Sequence, residues 1–220
     1  MFELSTAALS ISRVHFPVTT LGPGNRIGVW FQGCGIQCPG CISKDTWARK
    51  PANTTVSEVL QFCSEHLRDA DGLTITGGEP LEQGAGLLAL LSGFRRLLGP
   101  GADVLVYSGR PSGEVLPLLS SWTGLVDAVI TEPYVEAESQ TRPLIGSDNQ
   151  RLFVLTRLGE ERFLPYQRLR DGRDDGLDLM DDEAGMFWMA GIPRRGDMER
   201  LRRSLATQGT MIQTTQHIEL

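Results

Sequence analysis

Apolar residues along the chain fall into short unbroken runs separated by longer stretches with helical spacing. The stretch "TVSEVLQFCSEHLRDADG" (55–72) opens with Thr55 followed by Glu58, a capping-box pattern, and sets Val56, Val59, Leu60, Cys63 and Leu67 on one helical stripe. It predicts an amphipathic helix ending near Gly72. "GLTITGGEP" (72–80) then reads as a β-branched strand broken by two glycines, and "GLLALLSGFRRLLG" (86–99) as an apolar helix stopped by the Gly-Pro-Gly of 99–101. "ADVLVYSG" (102–109) predicts a buried strand, "PSGEVLPLLSSWTG" (111–124) a helix despite its prolines, and "LVDAVITEPY" (125–134) a further buried strand. Repeated strand-then-helix order with nearly continuous apolar strands implies an α/β fold, a parallel sheet with helical crossovers, over the first ~135 residues.

Past "NQRLFVLTRLGEERFLPY" (149–166) the pattern changes to strand pairs, with a hairpin expected around Leu158, Gly159, Glu160 and Glu161. The acidic, glycine-rich "RDGRDDGLDLMDDEAG" (170–185) reads as an exposed loop, "MFWMAGIP" (186–193) as a strand, and the segment from Asp197 to Thr207 as a helix. No internal repeat is present, and no linker demands two independent domains. A chain of 220 residues buries a sizeable core without covalent staples. Its four cysteines are too few for a disulfide scaffold.

The start of the chain, "MFELSTAALSISRVHF", lacks a basic leader followed by an apolar core, and no run approaches the ~18 apolar residues of a membrane span. The expectation is a soluble cytoplasmic protein with no membrane partner. A net charge of -6 and a pI near 5.1 argue against a nucleic-acid surface. The local cluster "PRRGDMERLRR" (193–203), with Asp197 and Glu199 among its arginines, reads as a solvated helix face.

Chemistry concentrates in "GVWFQGCGIQCPGCISKDTW" (28–47), which places Cys34, Cys38 and Cys41 at C-x3-C-x2-C spacing. Such thiolates bind tetrahedral zinc or an iron-sulfur cluster, and a structural site supplies four ligands. Cys63 and His66 are the available fourth ligands, yet both lie on the expected helix, where Cys63 falls in the apolar stripe and reads as core filler. A cubane held by three cysteines instead keeps one iron open for a substrate or cosubstrate. The glycines and proline of "GCGIQCPGC" suit a loop that wraps a cluster and aims backbone N–H groups at sulfur. A non-enzymatic zinc module built from Cys34, Cys38, Cys41 and Cys63 or His66 is the alternative of another class. Colour separates the two, since a zinc protein is colourless and an iron-sulfur protein is brown.

The "CGIQCPGC" spacing resembles the signature of radical S-adenosylmethionine (SAM) enzymes, and "TITGGEP" (74–80) is similar to the family's GGE motif. The resemblance is closest to the short activating enzymes of glycyl radical enzymes, the group that serves anaerobic ribonucleotide reductases. "LGPGNRIGVWFQGCGIQCPGC", "SKDTW" and "DAVITEPYVEAESQTRPLIGSDNQR" carry it, over roughly residues 10 to 152. It implies an incomplete (β/α)6-type partial barrel over 1–152 and a C-terminal α+β extension over 153–220. It also implies a [4Fe-4S] cluster on Cys34, Cys38 and Cys41, and SAM chelated to the fourth iron. Reductive cleavage of SAM to a 5'-deoxyadenosyl radical would then remove hydrogen from the substrate. A glycyl radical enzyme is the implied protein partner, with a flavodoxin- or ferredoxin-type electron donor. A small molecule or a ribosomal peptide is the alternative substrate.

The same resemblance assigns cofactor contacts. Gly77 and Gly78 would let the backbone approach the methionine portion of SAM, with Glu79 or nearby carbonyls fixing its ammonium group and Pro80 holding the turn. Tyr107 and Ser108 are candidates for the ribose or carboxylate, and Gly40 and Ile42 for the adenine side. Read without it, "GGEP" and "GPGNR" are turns, although Arg26 in the latter suits holding a carboxylate or the cluster loop. His15 and His217 read as structural or surface residues, Trp30, Phe31 and Trp47 as packing that keeps water from the loop, and the aromatic pair of "MFWMAG" as strand core. The acids of Asp171 to Glu183 lack EF-hand spacing.

Overall fold

A computed structural model describes residues 6–98, 101–181 and 187–211. Six strands form one sheet: β2 (Ile11–Val18), β3 (Arg26–Phe31), β5 (Gly72–Gly77), β6 (Asp103–Tyr107), β7 (Ala128–Thr131) and β8 (Arg151–Val154), adjacent in that order. The four inner strands are parallel, joined through α1 (Val56–Glu65), α2 (Gly84–Leu98) and α3 (Ser112–Ser120). The two edge strands, β2 and β8, run antiparallel to their neighbours, which the strand-and-helix alternation does not anticipate. A short pair, β1 (Ala8–Leu9) with β4 (Thr54–Thr55), leads into α1.

One face of the sheet presents Ile27, Val29, Phe31, Leu73, Ile75, Val104, Val106 and Val129 to the apolar stripes of the three helices. Cys63 is part of this core with no exposed surface, as its place in the stripe predicts. Thr55 caps α1 through a reciprocal bond with Glu58. The helix stops at Glu65, well before Gly72, and His66 caps it while stacking on Phe16.

The opposite face is covered by the residues that follow β8. Phe163 of α4 (Arg157–Phe163) packs on Leu105, Ala128 and Ile130, while Met180 and Ala190 pack on Val18, Leu21 and Trp30. Strands buried on both faces explain why their apolar runs are nearly continuous. The expected hairpin around Leu158–Glu161 is helix α4 instead. Thr156 accepts the Gly159 N–H at 3.0 Å and caps it, and the missing Cβ at Gly159 lets the helix press on the Asp127 backbone. The acidic segment is likewise more than a loop. Asp178–Asp181 forms β9, paired with β10 (Phe187–Ala190), and Asp178 accepts bonds from Thr19 and Thr20. Residues 182–186, including Glu183, and residues 212–220, including His217, lie outside the described residues. The helix expected near the end is α5 (Asp197–Thr207).

Arg26 shows how the sheet is closed beneath the second face. It is fully buried, donating to Asp103 at 2.6 Å, to the Thr74 hydroxyl at 2.6 Å and to the Leu73 and Pro23 carbonyls, with Phe163 over its guanidinium. The carboxylate it holds is therefore Asp103, at the strand end opposite the cysteine loop.

Candidate active site

The parallel strands end together at Phe31, Gly77, Tyr107 and Thr131, and the residues beyond them form one rim. After β3 the chain turns through three left-handed positions, Gly33 (φ 100), Gln37 (φ 51) and Gly40 (φ 75). These reversals curl Cys34, Cys38 and Cys41 into one loop. Its ends are tied by Gly33 N–H to Thr46 O (2.7 Å) and Cys34 N–H to Trp47 O (3.0 Å), and the Gln32 amide donates to Ala48 O (2.7 Å).

All three loop cysteines are free thiols and half-buried. Burial pushes the Cys38 and Cys41 thiols up, and N–H groups aimed at sulfur oppose it: the Tyr134 backbone at Cys38, and the Ser43 backbone (3.4 Å) and Trp47 side chain at Cys41. Such N–H donors stabilise a sulfur that carries negative charge. Among the described residues no three His, Cys, Asp or Glu side chains converge as ligands of a single ion. A zinc site would bring four ligands to within ~2.0–2.3 Å of one point. Cys63 is sealed in the helix-face core with its thiol pushed up to about 12 by burial, and His66 stacks on Phe16 and meets Phe62 edge-on, so neither reaches the loop. Three partly exposed loop thiols with N–H donors aimed at sulfur are the donor set an iron-sulfur cluster uses.

The "GGE" turn is packed onto this loop. Gly78 N–H donates to Phe31 O (2.8 Å) and Glu79 N–H to Gly33 O (2.9 Å). A Cβ on Gly78 would overlap the Gly33 carbonyl, and one on Gly77 (φ 100) would lie 2.6 Å from the Phe31 backbone. Both glycines are thus required for close approach to the cluster loop itself. Glu79 is 1% exposed and accepts from Ser108 Oγ (2.9 Å), Leu81 N–H (3.0 Å) and Gly109 N–H (2.8 Å). Burial raises its pKa against those three donors, and its charge is felt at Cys38. The carboxylate latches the ends of β5 and β6 together.

The structure gathers Gly40, Gly77, Gly78, Glu79 and Ser108 with the three thiols at this rim. Ile42, half-buried, follows Cys41 directly. Tyr107 turns away: its hydroxyl donates to Leu144 O (3.0 Å) in the second core, where burial raises its pKa. Phe31 is sealed in the helix-face core, and Trp30 packs beneath the β9/β10 pair, so of the three aromatics only Trp47 touches the thiols.

Sequence reasoning missed Tyr134 and Glu136. Both sit on the 132–150 loop, which starts at Glu132 (φ 78) and is folded by Gln150: its Oε1 accepts from Gly146 and Ser147, and its Nε2 donates to Glu132 O. Asn149 donates to Pro133 O, and Ser147 Oγ accepts from Val135. The loop lays Tyr134 on Cys38, and the Glu136 carboxyl fills the space where a Gly40 Cβ would stand. The "GSDNQR" string was the available signal, since side-chain amides three and four residues beyond a glycine can fold a loop back on itself.

Residues 20–153 match the family model described as a 4Fe-4S single cluster domain. The chain belongs to that family. It is a radical SAM enzyme of the activating-enzyme group, and its cofactors are a [4Fe-4S] cluster and S-adenosylmethionine. The anaerobic ribonucleoside-triphosphate reductase-activating protein of Enterobacteria phage T4 is 28% identical over 138 residues, 61% of this chain and 87% of that protein. The protein of the same name from Salmonella typhi is 28% identical over 145 residues, 62% of this chain and 93% of its own length. The pyruvate formate-lyase-activating enzyme of Streptococcus mutans is 39% identical over 143 residues, 62% of this chain and 54% of that enzyme. This radical SAM enzyme thus carries, beyond the matched segment, α4, β9 and β10, which cover the second sheet face, and α5. No helix among the described residues is long and apolar enough to cross a membrane.

Proposed function

We propose that this enzyme activates a glycyl radical enzyme of the anaerobic ribonucleotide reductase type by removing a hydrogen atom from a glycine Cα. When bound, the reduced cluster and SAM supply the 5'-deoxyadenosyl radical that takes this atom. Cys34, Cys38 and Cys41 hold the cluster, and the N–H groups of Tyr134, Ser43 and Trp47 offset the charge on its sulfurs. Glu79, spent on three donors, fixes the rim, so backbone carbonyls of the 77–79 turn would take the SAM amino group. Gly40 and Ile42 would line the adenine side, and Ser108 would offer a polar group toward the ribose. Tyr107, already bonded to Leu144, serves as a wall. The sheet is read as the partial barrel of the radical SAM fold, and a flavodoxin- or ferredoxin-type protein delivers the electron.

The observation that carries this reading is the loop of three free thiols latched to the "GGE" turn, in a chain whose relatives are named for activating anaerobic ribonucleotide reductase and pyruvate formate-lyase. A second reading, modification of a small molecule or peptide, draws support from the covering of the second sheet face by residues beyond the family match.

The test is 5'-deoxyadenosine formation from SAM by the anaerobically reconstituted, dithionite-reduced enzyme, with a Cys38→Ala variant, followed by electron paramagnetic resonance of a reductase incubated with it. Product from the native enzyme alone and a glycine-centred doublet on the reductase are expected. Deoxyadenosine without the doublet favours the second reading. Failure to assemble a cluster sinks both.

A further inference from the structure

A cleft of about 560 Å3 lies beside β8, between Arg142, Ile145, Arg151 and Phe153 on one side and Tyr166 and Arg168 on the other. Two features of it have no role in the chemistry described above. The first is backbone: β8 is the last strand of the six-stranded sheet, so the edge it turns away from β7 pairs with no strand among the described residues. Such an edge offers a row of donors and acceptors to any extended chain that lies along it. The bond from Arg170 N–H to Thr141 O (2.7 Å) ties the two walls to each other at one end.

The second feature is charge. The charged residues lining the cleft are all arginines. Arg168 is neutralised by Asp174, with two bonds of 2.8 Å. Arg142 and Arg151 are exposed and make no ion pair among the described residues, and Arg151 lies over the Phe153 ring at 5.4 Å. On a chain of net charge -6 this is a local reversal of sign. It attracts an anionic partner that the rest of the surface repels.

Register says where such a partner leads. Arg151 pairs with Thr131, so the Arg151 end of the cleft lies at the rim where the parallel strands end and the cysteine loop sits. An extended segment laid on β8 delivers its tip to that rim. A bare phosphate would use the arginines but neither the strand edge nor the apolar wall of Ile145, Leu152 and Phe153.

We propose that this cleft docks an extended acidic segment of the enzyme's protein partner, added to the sheet as a strand along β8 with its carboxylates on Arg142 and Arg151. The assignment rests on the reading of a protein substrate given above. It uses the strand-addition mode of peptide recognition, in which main-chain bonds give affinity and side chains give selectivity.

The test is fluorescence anisotropy on the cluster-loaded enzyme with a labelled peptide of alternating valine and glutamate, about twelve residues long, to span the cleft. Three counterparts carry glutamine in place of glutamate, lysine in place of glutamate, or proline at two central positions. The glutamate peptide is expected to bind about tenfold more tightly than the glutamine and proline forms, and to slow amide exchange at residues 151–154. The R142E/R151E variant is expected to lose that affinity and to prefer the lysine peptide, a charge swap that a misfolded variant could not show. Equal binding of all four peptides overturns the proposal, as does undiminished binding of the proline form, which marks a simple anion site displaced by millimolar inorganic phosphate. Deoxyadenosine formation is scored separately, so failure of docking and failure of the radical chemistry are distinguishable.

Discussion

Gly78 illustrates how much a single hydrogen atom decides at this site. With Gly33 O in the space a Cβ would take, Gly78→Ala must push the cysteine loop and the "GGE" turn apart. Overpacking of this kind costs ~1–3 kcal/mol. The variant is expected to show a lower thermal midpoint and a lower iron content after reconstitution, both absent in Gly84→Ala, where nothing lies within 4 Å. The cysteines allow an equally direct check. Cys63 is sealed in the core with its thiol pushed up to about 12, whereas Cys34, Cys38 and Cys41 are half-exposed. Mass spectrometry of the native, cluster-free chain after iodoacetamide at pH 8 should count three adducts, and four after unfolding. Two adducts or four in the native state would refute that placement. The burial of Cys63 was legible from its place in the helical stripe. What spacing could not reveal was that Glu79 is consumed as a latch and Tyr107 by a carbonyl, because those partners, Ser108, Gly109 and Leu144, are brought close only by the sheet.

At the scale of elements, β5, β6, β7 and α1 to α3 were readable because each carries one apolar run or stripe bounded by a cap or glycine. Beyond β8 the same reasoning failed where arginine–aspartate bonds, rather than apolar periodicity, hold the chain. Arg168 binds Asp174, Arg170 and Arg194 bind Asp175, and Arg173 binds Asp171, so a segment acidic enough to read as a loop instead supports β9. Asp171 and Asp175 sit below the ordinary carboxylate range, drawn there by Arg173 and Arg194 respectively. Burial pulls Asp174 upward, but Arg168 and the Asp171 N–H outweigh it and leave it lowered as well. Their contribution to stability is therefore fully present above the unfolded carboxylate pKa, about 4, and is lost as pH falls through the lower folded values. Hydrogen exchange between pH 5 and pH 2 should show 170–181 and 187–194 losing protection before β3, β5 and β6. Simultaneous loss would show that the ion pairs do not govern this region.

Across the whole molecule, Arg26 joins three of the parallel strands, its own β3 with β5 and β6, to the residues that cover them. It lies beneath Phe163, bonds to Thr74 and Leu73 on β5 and to Asp103 on β6, and is fully buried. Arg26→Met leaves the buried Asp103 carboxylate with only Arg162, 3.9 Å away, as countercharge, at an expected cost of ~3 kcal/mol. The double variant Arg26→Met/Asp103→Leu should recover much of that in urea unfolding, and no recovery would mean that the guanidinium acts through Thr74 and the carbonyls instead. The confinement of Cys63 has a different consequence, one of parity. With that thiol out of reach, a chain stripped of iron in air has three sulfurs to oxidise. One disulfide within the loop consumes two of them, and the odd thiol can then pair only with another molecule. Aerobic handling should therefore generate covalent dimers joined through the cysteine loop, dissolved by reductant and prevented by filling the loop with iron and sulfide.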